Sequence, residues 1–146
     1  MNSPMFELSN LMGFMFSAGL LDNAFNRLQQ LQESSSNPGM VSELVKKFCE
    51  DGEQTIRELA NLLNEQVVDY HQVTISAYNI KGRSSSFGAR RVANASIELC
   101  EFCKEKNKLG CLMTLESIKN EFYDLRDKLH TMVQLEKRVE AYFPRK

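Results

Sequence analysis

From Asn37 onward, apolar residues return every three or four positions with hardly a break, and this periodicity restricts the chain to helices. Val41, Leu44, Val45, Phe48, Ile56, Leu59, Leu62 and Leu63 predict one apolar face on a helix that starts at Asn37-Pro38 and runs to about Glu65. Val73, Ala77, Ile80, Ser84 and Phe87 predict the inward face of a second, with Asp69 as its N-cap. Val92, Ala95, Leu99 and Phe102 mark a third, which is expected to end in an αL-type stop at Asn107-Lys108-Leu109-Gly110. Leu112, Leu115, Ile118, Phe122, Leu125, Leu129, Met132 and Val139 predict a long final helix reaching Phe143-Pro144. Four such helices with short connections pack as an up-down-up-down antiparallel bundle.

Upstream lie two shorter helices. Ser3-Pro4 reads as an N-cap followed by proline at the first helical position, leading a stripe of Met5, Leu8, Leu11, Met12, Met15 and Phe16 that ends near Ala18-Gly19. Asp22 is placed to cap the second, with Phe25, Leu28 and Leu31 inward. Ser34-Ser35-Ser36-Asn37-Pro38-Gly39 is the clearest break, yet it is too short for a domain linker. The expected fold is all-α: residues 1–146 as one domain, with a helix pair over 1–36 and a four-helix bundle over 37–146. At 146 residues such a chain can bury a core without disulfides or metal.

Composition excludes several classes. No apolar run approaches the roughly 18 residues that span a bilayer, and the N-terminus has no basic region followed by a cleavage site. The chain reads as soluble and intracellular, with no membrane partner. Cys100 and Cys103 form a C-x-x-C pair, but no second pair or suitably spaced histidines complete a zinc site, and no βαβ pattern supports a redox motif. The four cysteines therefore read as buried apolar residues, and no metal or cofactor is expected. A net charge of −1 argues against nucleic acid, but the charge is divided: residues 1–70 carry −6 and residues 71–146 carry +5. Lys81, Arg83, Arg90, Arg91, Lys104, Lys106 and Lys108 supply much of the positive half, which suits an acidic or phosphorylated partner.

One stretch breaks the helical rules. Tyr78-Asn79-Ile80-Lys81-Gly82-Arg83-Ser84-Ser85-Ser86 places a glycine and three serines inside a helix. A mid-helix glycine costs about 0.5–1 kcal/mol relative to alanine. Tyr78, Lys81, Gly82 and Ser85 share a face by their spacing, so the flank of Tyr78 is left bare one turn on. The pattern predicts a close approach to Tyr78 by another molecule.

The stretch Tyr78-Asn79-Ile80-Lys81-Gly82-Arg83-Ser84-Ser85-Ser86-Phe87-Gly88-Ala89-Arg90-Arg91-Val92 resembles the signature of plant histidine-containing phosphotransfer proteins, roughly His-Gln-Leu-Lys-Gly-Ser-Ser-x-Ser-Ile-Gly-Ala-x-Arg-Val. The likeness extends to Gly19-Leu20-Leu21-Asp22, Phe25, Leu28 to Gln32, Phe48, Glu50-Asp51, Val68-Asp69, Phe102-Cys103, Asn107, Gly110-Cys111-Leu112 and Leu135-Glu136. It implies a helical bundle that meets the receiver domains of hybrid histidine kinases and response regulators in cytokinin-type two-component signalling, as a monomer in cytoplasm and nucleus.

The family's phosphoacceptor histidine aligns with Tyr78, and Arg83 stands where serine is usual. Imidazole exchanges a phosphoryl group reversibly with an aspartate; a phenol without a neighbouring base is a poor nucleophile, and its phosphoester is too stable to return the group. The chain is thus similar to the pseudo-phosphotransfer branch, which lacks the histidine. The branch implies no catalytic residue and a receiver-docking set of Tyr78, Asn79, Lys81, Gly82, Arg83 and Ser85. Such a protein would damp the phosphorelay. An alternative is an active mediator that uses His71, two turns before Tyr78 on the same face; its neighbours at the corresponding offsets are Thr74 and Ile75 instead of lysine and glycine. His130 is followed at those offsets by Val133 and Gln134. A helical scaffold that no longer binds receivers is a further alternative.

Overall fold

In the computed structural model, which describes residues 3–142, the regular structure consists of six helices, with no strand among the described residues. They are α1 (Pro4–Ser17), α2 (Asn23–Ser34), α3 (Met40–Leu63), α4 (Tyr70–Phe87), α5 (Arg90–Lys104) and α6 (Lys108–Tyr142). The fold is therefore all-α, as the periodicity predicts. No described helix is long and apolar enough to cross a membrane.

Short breaks separate the helices, and side chains cap three of the starts. Ser3 and Asp22 cap α1 and α2 by accepting hydrogen bonds from the backbone amides of Phe6 and Ala24. Asp69 accepts from the Gln72 amide at the start of α4. Helices α3 to α6 close a ring in which each packs on the next and α6 returns to α3. Cross-links fix the directions: Arg126 of α6 reaches Glu53 of α3 at 3.1 Å, and Lys108 donates to the Glu65 carbonyl oxygen at 3.2 Å, so these two helices run antiparallel. Helix α1 lies along α6, while α2 covers α3 and α4.

The core runs the length of this ring, and its inward residues on α4 (Val73, Ala77, Ile80, Ser84 and Phe87) are all buried as expected. At the C-terminal half of α4 four rings from four helices adjoin in sequence, Phe87 and Phe48 stacked and the outer two tilted. Phe25 and Phe87 lie 5.1 Å apart, Phe87 and Phe48 4.3 Å, and Phe48 and Phe122 5.7 Å. Each such pair adds about 0.5–1.5 kcal/mol beyond its buried area. This aromatic column sets the floor on which α4 rests.

Several boundaries and inward assignments differ from the sequence reading. Helix α3 begins at Met40 and ends at Leu63, because Ser35 to Gly39 are held in turns by the Ser35 and Asn37 side chains. Met5, Leu31, Leu44 and Leu112 are exposed: they fall at the edge of stripes whose neighbours do not reach that far. Phe102 is only partly buried. The predicted stop at Asn107 to Gly110 is instead a start: α5 ends at Lys104, Lys106 takes the left-handed conformation (φ 52°), and the Asn107 side chain accepts from the Gly110 amide to open α6. Gly110 is needed there because a methyl group would collide with the Phe102 ring. Phe143-Pro144, the expected end of the last helix, lies outside the described residues.

At the other end of α4, Gly88 combines both requirements. Its φ of 97° suits glycine, and a Cβ there would lie 2.6 Å from the Phe25 amide nitrogen. The Asp22 amide donates to the Gly88 carbonyl oxygen at 2.9 Å, so the α4–α5 turn is tied to the start of α2.

Candidate functional site

Helix α4 presents to solvent the residues that its buried stripe excludes. Tyr78 follows the buried Ala77 by one residue, about 100° round the axis, and is 52% exposed. Lys81 is half-buried, and Gly82 and Ser85 are exposed on the same face; Asn79 and Arg83 are exposed on the flank toward α3. The six residues singled out from sequence therefore form one continuous surface.

Around Gly82 that surface is open. A Cβ built there meets no atom within 4 Å, so packing inside the chain gives no reason for glycine. The Tyr78 ring stands beside this gap with the Lys81 ammonium 5.6 Å from its centroid, a cation–π contact worth about 0.5–1 kcal/mol at an exposed site. Lys81 has no carboxylate within ion-pair distance among the described residues, whereas other cations nearby are engaged. Lys104, on α5, is close enough to Tyr78 to interact with it electrostatically and bonds Glu101 at 3.1 Å; that hydrogen bond is the main reason its ammonium is held above the usual lysine range. No base is bonded to the Tyr78 hydroxyl among the described residues, and no catalytic group is assembled around it.

On its α3 side, Gly82 borders a groove of about 440 Å³ lined by Leu28, Leu44, Phe48, Arg83 and Phe87. Arg83 reaches across its rim to Asp51 at 3.7 Å, and Lys47 holds the same carboxylate at 3.1 Å. These are partly exposed pairs worth at most about 1 kcal/mol each, but they draw Arg83 toward α3 and away from the Tyr78 flank. The groove was not read from sequence. Its available signal was Leu44, an apolar residue at the edge of a stripe, and the Lys47/Asp51 spacing of four.

The basic residues grouped in the sequence are dispersed by the fold. Arg91 pairs with Glu121 of α6 at 2.8 Å, and Lys108 bonds the α3–α4 connection. Of that group, Lys81 lies over the Tyr78 ring and Lys104 is close enough to interact with it electrostatically, while Arg83 is turned toward Asp51. The cysteines are all free and buried, and no cluster of potential metal ligands occurs among the described residues. Cys103 and Cys111 lie 3.9 Å apart in the core. Burial pushes the Cys49 thiol up to about 11 and Cys111 to about 12, so both stay protonated at neutral pH. His71 is exposed on the first turn of α4, and His130 is exposed on α6.

Comparison with known proteins fits this arrangement to a family. Residues 43–134 match the Hpt domain family. The chain belongs to that family. It is 43% identical over 139 residues to a rice protein named histidine-containing phosphotransfer protein 2, covering 95% of this chain and 93% of the relative. An Arabidopsis thaliana protein named pseudo histidine-containing phosphotransfer protein 6 is 33% identical over 131 residues, covering 89% and 84%. The crystal structure of the maize histidine-containing phosphotransfer protein ZmHP2 superposes with a TM-score of 0.92 at 42% identity, covering 94% of this chain and 99% of that one. The Hpt match takes in α4 whole, and so the entire surface around Tyr78.

Proposed function

We propose that this Hpt-family protein docks receiver domains of hybrid histidine kinases and response regulators on the Tyr78–Ser85 face of α4 and does not accept their phosphoryl group. The observation that carries the reading is Tyr78 itself: half-exposed at the centre of an otherwise open docking face, with no base to activate it. By occupying receivers without relaying phosphate, the protein competes with active phosphotransfer proteins and damps a cytokinin-type phosphorelay. It acts as a monomer in cytoplasm and nucleus.

The test is a phosphotransfer assay with a labelled, phosphorylated receiver domain. The wild type is expected to bind the receiver and take up no acid-labile label, and Tyr78→His to gain some. An acid-labile label on the wild type defeats the reading. Failure to bind any receiver at tens of micromolar also defeats it and favours the scaffold alternative.

A second reading has an observation in its favour. Identity is higher to the rice protein named histidine-containing than to the Arabidopsis protein named pseudo, which favours an active mediator using another residue such as His71. Against it stands geometry. His71 lies about 10 Å along the axis from Tyr78 and about 15 Å from Lys81, at 1.5 Å per residue. Thr74 and Ile75 follow it, and the Thr74 hydroxyl is spent on the Tyr70 carbonyl oxygen at 2.8 Å. On this second reading the wild type becomes labelled and His71→Ala does not.

A further inference from the structure

The surface around Tyr78 has one feature that plain competition for receivers does not require: a cation left without a counter-charge. The Lys81 ammonium sits 5.6 Å from the Tyr78 ring, half-buried, with no carboxylate of the described residues in ion-pair range. The other cations of this face are compensated. Lys104 is bonded to Glu101, while Arg83 and Lys47 share Asp51. An uncompensated lysine beside a half-exposed phenol, with Gly82 leaving the approach clear, offers two donors to an anion arriving at the end of a partner's side chain.

A receiver's acceptor aspartate exists in two states of different charge. As a carboxylate it carries one negative charge; as an acyl phosphate its phosphoryl group carries up to two, spread over three oxygens that project farther from the backbone. Only the second reaches out to donors on another molecule. From the pairing of Lys81 with Tyr78, and resting on the receiver-docking reading above, we propose that this protein selects the phosphorylated form of its receiver partner. The Lys81 ammonium and the Tyr78 hydroxyl donate to the phosphoryl oxygens. No bond to phosphorus forms or breaks, because the phenol has no base to take its proton. The aspartyl phosphate is held and stays on the receiver. The protein is then a trap for activated receivers, withdrawing them from relay in proportion to signal.

The test uses the full chain and one receiver domain that it binds, titrated with Mg²⁺ alone and with Mg²⁺ plus beryllium fluoride, which mimics the phosphoryl group on the aspartate. The expected result is about tenfold tighter binding in the fluoride-treated state, the order expected of one charge-assisted hydrogen bond. Lys81→Gln is expected to bring the ratio of the two affinities close to one, whatever the change in its affinity for the untreated receiver. Tyr78→Phe is expected to lower the ratio by a smaller factor. Equal affinities of the wild type for the two states overturn the inference and leave the docking reading intact. An unchanged ratio in Lys81→Gln also overturns it, whereas no binding in either state overturns the docking reading and this inference together.

Discussion

Gly82 in α4 and Gly52 in α3 are both mid-helix glycines, and they are there for opposite reasons. At Gly52 a methyl group would run into the Phe122 ring of α6, so the missing side chain is what lets two core helices close on the aromatic column. At Gly82 the same methyl group would meet nothing. The inward glycine offsets its conformational cost within the chain, by the packing it permits. The outward one has no such compensation, and its cost of about 0.5–1 kcal/mol is left standing in the isolated protein. A destabilising residue on an open face, beside an uncompensated lysine, is what the proposed docking surface would require.

The sharpest way to break this contrast is Gly82→Gln. A side chain there blocks the approach to Tyr78, and receiver binding is expected to weaken by about 30-fold or more, equivalent to about 2 kcal/mol at a hot spot. The same variant should be more stable to urea by about 0.5–1 kcal/mol. Loss of stability instead would mean that Gly82 answers to the fold. Gly52→Ala is the inward counterpart, expected to lose about 1–3 kcal/mol in a urea titration through overpacking against Phe122. Its receiver affinity, measured where the variant is still folded, should barely change. A stable Gly52→Ala protein would remove the distinction from the other side.

A smaller effect separates the two regions by pH. The core thiols of Cys49 and Cys111, held up by burial to about 11 and about 12, ionise in the unfolded chain near the ordinary value of 9.0. Between these limits the unfolded state has released protons that the folded state retains, so stability falls as pH rises above about 9. Thermal melts from pH 8 to 10.5 should show that decline, with a shallower slope in Cys111→Ala. An equal slope in wild type and variant would show that other groups govern the alkaline limit.

The part of the fold that was legible in the sequence is the part where one periodic stripe meets another. Val73 to Phe87 were read correctly because they sit mid-stripe, between α3 and α5. Leu31, Leu44 and Leu112 were misread because periodicity records which face is apolar and not how far the neighbouring helix extends. Gly110 was misread because Asn107-Lys108-Leu109-Gly110 suits a helix end as well as a helix start; the Asn107 cap and the Phe102 ring decide it. On α4, position and spacing alone place Tyr78, Lys81, Gly82 and Ser85 on one surface. What spacing cannot supply is the contribution of other helices: the Arg83–Asp51 pair, the nearness of Lys104 to Tyr78, and the groove beside Gly82. Those depend on contacts between residues more than twenty positions apart.

The Tyr78 side chain is half in solvent, and its hydroxyl is bonded to no described residue. Nothing in the core has to adjust when residue 78 changes, so selection for stability is nearly blind to what stands there. Tyrosine and histidine codons differ by a single base. A single base change can thus exchange a phenol for an imidazole at this position without an unfolded intermediate between the two.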